Sequence, residues 1–507
     1  MLRIPVSYLA FIMLCCALVA GCTPEDEGQG MQITELSQLS GRKVGVITGS
    51  IFDGVLKRHI PSAEPEFFDT FPDQVQALKT GKISAFFTDD TGMRDLLAHT
   101  TGLLYLPDPV ESDEHAFVFA RSRQALQQQV DVALREMIQS GLAGQIIEKW
   151  SGPDGAAAEL PELPQEGKQG VLRFATQITC PPAAYIRNGR PVGYEVELAL
   201  RVAEALGRRL EVIILDFGAL IPSLVSGKSD MAGGSISVTE ERRKSVLFSV
   251  PIYTVRIIVV VPDTQEESLA YSVLSEVRES FIRTFLVEGR YRLVFKGLWT
   301  TVLICVLSAV FGSLLGALIC SCRRSGSPWL SVPARIYIRA IQGTPIVLLL
   351  MILYYVVFSG LALDGVYVAV IGFSMNFAAY VSEMMRAGVE SVDKGQIEAA
   401  AALGFRPIHA FIRVVIPQAA RYVLPVYKGE LISMLKMTAV VGYIAIQDLT
   451  KMCDIIRSRT YDAFFPLIAT ACIYFVLAYL LIFLLTLLEH SIDPKRRQRM
   501  VKGVTAR

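Results

Sequence analysis

The sequence predicts two fold classes in series, an α/β region over residues 31–262 and an all-α membrane region over residues 293–490. Three observations carry that prediction. Between 31 and 262, short apolar runs alternate with amphipathic helical stretches, as an α/β domain requires. Beyond 293, several stretches free of charge are long enough to cross a hydrocarbon core of about 30 Å. The composition agrees: 507 residues, 52% hydrophobic, with a mean hydropathy of +0.42, exceed one ordinary domain and point to a bilayer. A net charge of +1 gives no sign of a nucleic-acid partner. The nine cysteines are scattered, mostly in apolar runs and without metal-ligand spacing, so neither a disulfide framework nor a metal site is expected.

At the N-terminus, Arg3 precedes the apolar run Ile4 to Ala20, the shape of a secretory signal over residues 1–22. Its end, Val19-Ala20-Gly21-Cys22, resembles a bacterial lipobox, which implies lipidation of Cys22; an uncleaved anchor helix or an ordinary signal is the alternative. Residues 23–30, acidic and glycine-containing, read as a tether. Lys43 to Ile47 is a strand ending in Thr48-Gly49-Ser50, where a helix begins. Phe71 to Thr80 reads as a helix, and Ala85-Phe86-Phe87 as a strand delivering Thr88-Asp89-Asp90. Gln124 to Trp150 is helical throughout, and residues 151–170, rich in Gly, Ala, Pro and Glu, form a linker. A strand Val171 to Thr176, a helix Glu195 to Leu206, a strand Glu211 to Leu215 and a helix starting at Ile221 follow.

Residues 263–292 read as a linker and interfacial helix. The spans expected are Gly297–Ser321, Ala340–Leu363, Gly365–Ser382 and Ala463–Leu488. A further stretch, Arg421–Gln447, is interrupted by Lys428, Glu430 and Lys436. Residues 491–507 form a basic tail. Between spans lies Glu398 to Pro417, read from the residues as an Ala-rich helix stopped by Gly404 and a second helix opened by Pro407. Ile408, Phe411, Ile412 and Val415 fall at i, i+3, i+4, i+7 and predict one apolar face.

The order Glu398-Ala399-Ala400, then Gly404, then Ile416-Pro417 resembles the cytoplasmic coupling loop of ABC-importer permeases, of the histidine/glutamine transporter type. The resemblance implies a helix over Arg421–Gln447, hence five spans, and extends to Arg339 with Gly343-Thr344-Pro345. It reaches Leu435-Lys436 with Thr438 as well, though Met437 and Ala439 depart from the pattern. Five spans with an outer α/β domain put Arg323, Arg324, Arg335, Arg339, Arg386, Lys394, Arg406, Arg413 and the tail Lys495-Arg496-Arg497 inside, as the positive-inside rule asks. The arginines at 278, 283, 290 and 292 run against it.

Residues 31–262 resemble the bilobed (type II) solute-binding proteins of the polar amino acid uptake family with their halves exchanged. Residues 171–262 look like the opening half, through Pro181-Pro182, Val192-Gly193-Tyr194-Glu195 and the Ser235 to Arg242 run to Phe248-Ser249 and Pro251. Residues 31–150 look like the closing half, ending in Glu148-Lys149-Trp150. One circularly permuted binding domain is implied, with 151–170 joining the old termini. For a free amino acid the resemblance implies Arg242 on the carboxylate, with Ser237 and Ser50 beside it. It puts Asp89 on the ammonium with Ser235 as neighbouring acceptor, Phe217 as a wall, and Gln177 at the position of a usual Asp. Alone, each has a duller reading as a surface Arg, a capping Ser or a turn Asp. Cys180 stands where an aromatic is usual, and Pro182-Ala183-Ala184 replaces Pro-Phe-Glu, which weakens the case for a cationic ligand such as arginine.

No phosphate-binding Gly-x₄-Gly-Lys-Ser/Thr loop occurs, so ATP would be bound by a separate ATPase subunit. The expectation is the substrate-binding and membrane component of an ABC importer for a polar amino acid in a bacterial inner membrane, paired as a homodimer and not itself an enzyme. The alternative is a ligand-gated ion channel of glutamate-receptor type, which also joins such a domain to membrane helices.

Overall fold

The structure is a computed structural model that describes residues 32–152, 155–162, 167–264, 273–359, 361, 363–462 and 464–492. The signal, Cys22, the tether and the basic tail beyond 492 lie outside the described residues. The chain divides into two compact units, Met1–Arg292 with Cys453–Ala469, and Leu293–Met452 with Thr470–Arg507.

The first unit contains two main sheets. In the first sheet the strands run Glu64–Phe68, Lys43–Ile47, Ala85–Asp89, Tyr253–Pro262, Leu103–Tyr105, with Glu111–His115 also paired to Tyr253–Pro262. The first three are parallel, and Tyr253–Pro262 is antiparallel to its neighbours. In the second sheet the order is Arg209–Ile214, Val171–Thr176, Met231–Ala232, Val118–Ala120, Val246–Phe248, with Val118–Ala120 antiparallel. Each sheet therefore takes its antiparallel strand from the other segment of the chain. The same exchange shows in the cores. Helices Gln124–Gln139 and Leu142–Ser151 bury Leu126, Val130, Leu134, Ile146 and Trp150 against Leu172, Phe174, Leu198 and Val202 of the second sheet's lobe. Ile257, Val259 and Val261 complete the first lobe with Val44, Val46 and Phe87. The chain crosses between lobes twice, at 115–118 and at 249–253.

The helix expected over Gln124 to Trp150 is two helices. Gly141 adopts φ 77° between them, a left-handed turn that ends the first and starts the second. The helix expected from Ile221 begins at Phe217 and carries Pro222 inside it.

Among the described residues, three helices are long and apolar enough to cross a bilayer, Tyr291–Arg324, Gly365–Glu390 and Phe464–Leu487; counting each of two bent helix pairs as one span raises the number to five. The span expected over 340–363 is not one straight helix. Pro328–Gln342 and Ile346–Val357 meet at 109°, because Pro345 lacks an N–H and drives Thr344 away from helical geometry, with Gly343 capping the helix before it. The stretch expected over 421–447 is a helix Ile416–Met437 followed by a 3-10 segment Thr438–Ile444, and it bends by 58° into Leu449–Thr460. Gly312 and Gly316 let helix Tyr291–Arg324 approach Gly365–Glu390 closely: a Cβ on either would sit 3.0 Å from the carbonyl of Ser374 or Ala378.

Candidate functional site: a two-lobed cleft and a membrane-domain loop

The residues expected around a carboxylate converge in part. Thr239 caps the short helix Glu240–Arg243 by accepting from the Arg242 N–H, which fixes where the arginine side chain departs. Its guanidinium donates to the Ser237 carbonyl at 3.0 Å and, across the lobes, to the Gly49 carbonyl at 2.8 Å. It stands 5.6 Å from the centroid of the Phe217 ring. Burial pulls the guanidinium down from its ordinary value, against the charges of Asp113 and Glu241. Ser50 is turned to local use, donating to Ile47 O at 2.7 Å and accepting from Phe52 N at 3.3 Å.

Asp89 ends the strand Ala85–Asp89 and caps the helix Asp90–His99, accepting from Gly92 N at 2.7 Å and Thr91 Oγ1 at 2.6 Å. Gln177 Nε2 donates to Gly234 O at 3.0 Å, and the Ser235 hydroxyl lies 3.7 Å from Cys180 Sγ. Burial, with the Asp89 charge second, pushes the Cys180 thiol up to about 12, so it stays neutral as an apolar wall would.

A buried polar chain at the crossings was missed from the sequence. Gly193, at φ 127°, lies so close to the 182–183 backbone that a Cβ would sit 2.3 Å from the Ala183 carbonyl. That contact aims the helix Tyr194–Ala205, whose first turn carries Glu195, 1% exposed. The Glu195 carboxylate accepts from Gly234 N at 2.5 Å, Ser235 N at 2.8 Å and Tyr253 OH at 3.0 Å. Tyr253 continues to His115 Nδ1 at 3.0 Å, and His115 Nε2 to Asp113 at 2.9 Å. Burial raises the Glu195 carboxyl against those donors. Burial works to lower His115, but the bond to Asp113 and its charge outweigh it and leave the imidazole raised. Two acids in the first turn of a helix whose neighbours are apolar, Glu195 and Glu197, were the available signal.

In the membrane unit, helix Lys394–Ala402 ends as its sequence suggests. Gly404 takes φ 79°, with Gly404 N bonded to Ala401 O at 2.9 Å and Phe405 N to Ala400 O at 3.1 Å. Pro407 opens the next helix, and Pro417 lies in the first turn of Ile416–Met437. The single apolar face expected from Ile408, Phe411, Ile412 and Val415 is divided, since a π-helical turn over Phe411–Val415 shifts the register. Val415 is buried with Val392 and Ala419, and Phe411 packs on them. Ile397, Leu403, Ile408 and Ile412 are exposed, Leu403 by 78%. Ala400 is buried, while Glu398 and Ala399 are exposed.

Bent helices apolar enough to span a bilayer, carrying such a loop in one chain with an α/β unit of two main sheets, fit a multi-pass membrane protein. Residues 308–494 match the family described as the binding-protein-dependent transport system inner membrane component. The arginine transport system permease protein ArtQ of Bacillus subtilis (strain 168) is 37% identical over 194 residues, 38% of this chain and 88% of that protein. The octopine transport system permease protein OccM of Rhizobium radiobacter is 36% identical over 206 residues, 38% of this chain and 82% of that protein. A chain from the structure described as an amino acid ABC transporter with histidines is 35% identical, covered over 100% of its length and 44% of this one, with a TM-score of 0.38. The chain belongs to this family of ABC-importer permeases. Membership implies embedding in the inner membrane and an ATPase partner, and it favours a transporter over a ligand-gated channel.

Proposed function

We propose that the chain is both the substrate-binding and the membrane-spanning component of an ABC importer for a polar amino acid, energised by a separate ATPase subunit. The interleaving of the two sheets carries this reading. A chain order in which 32–120 and 171–262 each lend the other's sheet its antiparallel strand supports one bilobed type II binding domain, permuted, with its old termini joined through 151–170.

In that reading the ligand carboxylate takes the place of the Gly49 carbonyl on Arg242, exchanging a neutral acceptor for a charged bidentate one. Asp89 holds the ammonium, with Ser235 beside it. Phe217 and the neutral Cys180 bound the side chain. The domain faces the outer side of the membrane. On the inner side, the exposed Ile397, Leu403, Ile408 and Ile412 with Glu398 form the surface the ATPase grips, and closure of the ATPase rocks the bent helices. One permease half per chain implies a homodimer.

The test is uptake of labelled amino acids into liposomes holding the chain and its partner ATPase. ATP-dependent accumulation is expected. Ion current on adding amino acids without any ATPase would overturn the reading in favour of a channel.

A further inference from the structure

Gly233, Gly234 and Ser235 form the turn that delivers the serine proposed beside a ligand ammonium. Gly234 takes φ 111° and Ser235 φ 58°, the second in a left-handed region that serine enters rarely. A turn of this shape persists only where its surroundings hold it. One side chain holds it here. Glu195 accepts from both consecutive amides, Oε2 from Gly234 N at 2.5 Å and Oε1 from Ser235 N at 2.8 Å. Gly233 passes so close that a Cβ there would sit 2.9 Å from Glu195 Oε2. Gln177 Nε2 secures the same turn through Gly234 O at 3.0 Å.

Glu195 is in turn tied to the strand that places Asp89. Tyr253 opens strand Tyr253–Pro262 and donates to Glu195 Oε1 at 3.0 Å, while Ile257 of the same strand pairs with Asp89 in antiparallel register. The Tyr253 hydroxyl is itself fixed, by Tyr194 OH at 2.9 Å and by His115 Nδ1 at 3.0 Å, with His115 anchored on Asp113. One strand thus carries both acceptors proposed for the ammonium, Asp89 through the ladder and Ser235 through Glu195. An ammonium is all donor and needs acceptors on more than one side. Asp89 already commits one oxygen, Oδ1, to Thr91 and Gly92, so the placing of the second acceptor decides how well an ammonium fits.

We infer that Glu195 is a positioning residue for recognition of the ligand ammonium, acting through Ser235, which it sets in place relative to Asp89. By this device the site selects a 2-amino acid over the 2-hydroxy acid of the same side chain, because a hydroxyl brings a single donor and no charge to two fixed acceptors. The inference rests on the binding-domain reading above and names the buried residue on which its selectivity for an amino group depends.

The test uses the full chain in lipid nanodiscs. Each proteinogenic L-amino acid is added singly, and the one that most raises the melting temperature is carried forward with the 2-hydroxy acid of the same side chain. Both dissociation constants are read by calorimetry, that of the hydroxy acid by displacement. Glu195→Gln keeps the size of the side chain but sets an NH₂ against one of the two amides. It should weaken the amino acid about tenfold and leave the hydroxy acid nearly unchanged, so the preference between them narrows. Tyr253→Phe, which removes only the hydroxyl on Glu195, is the milder variant and should narrow the preference about threefold; it decides alone where Glu195→Gln does not fold. Both compounds weakened together by Glu195→Gln, or a wild-type preference in Tyr253→Phe, would assign these residues to the fold alone and overturn the inference. If no amino acid moves the melting temperature of the unmodified chain, the binding-domain reading falls, and the inference with it.

Discussion

The guanidinium of Arg242, carried by the second lobe, donates to the carbonyl of Gly49 in the first at 2.8 Å. The arginine proposed to hold a ligand carboxylate is thus engaged across the lobes by a neutral oxygen. In the proposed reading a ligand carboxylate displaces that oxygen, which would join ligand recognition to lobe approach.

Arg242→Ala is expected to cost about 2–5 kcal/mol of amino-acid affinity by calorimetry, since a charge-assisted pair is lost and the ligand carboxylate is left unpaired. Arg242→Lys keeps the charge without the planar fork and should recover only part of that loss. Wild-type affinity in both variants would put the site elsewhere.

Asp89→Asn separates two roles of one side chain. Asparagine caps a helix about as well as aspartate, so the bond to Gly92 N should survive and the melting temperature should stay near wild type. The negative charge for an ammonium is gone, so affinity should fall. A variant that melts early and binds normally would show a capping role alone.

The chain should lose stability as pH rises above the ordinary imidazole value of 6.5. His115 is raised above its ordinary 6.5 in the fold, so its contribution is full below that value and is lost as pH rises through the folded value. Glu195, raised above 4.5 by burial, acts in the same direction, its contribution being lost as pH rises from 4.5 through its folded value. Asp113, Tyr253, Asp89 and Glu195 are the groups facing the imidazole. His115→Gln should flatten the profile of melting temperature against pH; an unchanged slope would assign it to other groups.

Gly404→Val should uncouple transport from binding. At φ 79° a β-branched residue costs at least about 1 kcal/mol of strain, and nothing lies within 4 Å of the added Cβ, so the damage is confined to the turn. Amino-acid affinity should hold while uptake and ligand-stimulated ATP hydrolysis fall. Normal uptake would mean that this loop does not transmit the ATPase stroke.

Much of this arrangement was legible in the sequence because local chemistry carried it. Strand Val171–Thr176 is written in a short apolar run and the turn at Gly404 in one glycine. What escaped depended on distant partners. Gly141 divides a stretch whose composition is helical throughout, and the π turn over Phe411–Val415 is invisible to a 3.6-residue period. Glu195 looks like an ordinary first-turn acid until Ser235, Tyr253 and His115 arrive from three other segments. Residues Arg457 to Tyr461 fall just before the expected span from Ala463, and only the fold brings Asp73 and Asp95 to them.

The number of amino-acid sites per chain, measured by equilibrium dialysis of the purified full chain against each labelled amino acid, tests a joined receptor and permease most directly. Two interleaved segments forming one cleft predict one site per chain for the preferred amino acid, abolished or greatly weakened by Arg242→Ala. Two sites per chain would make 32–150 and 171–262 separate receptors, and no site at all would contradict a receptor and permease joined in one polypeptide.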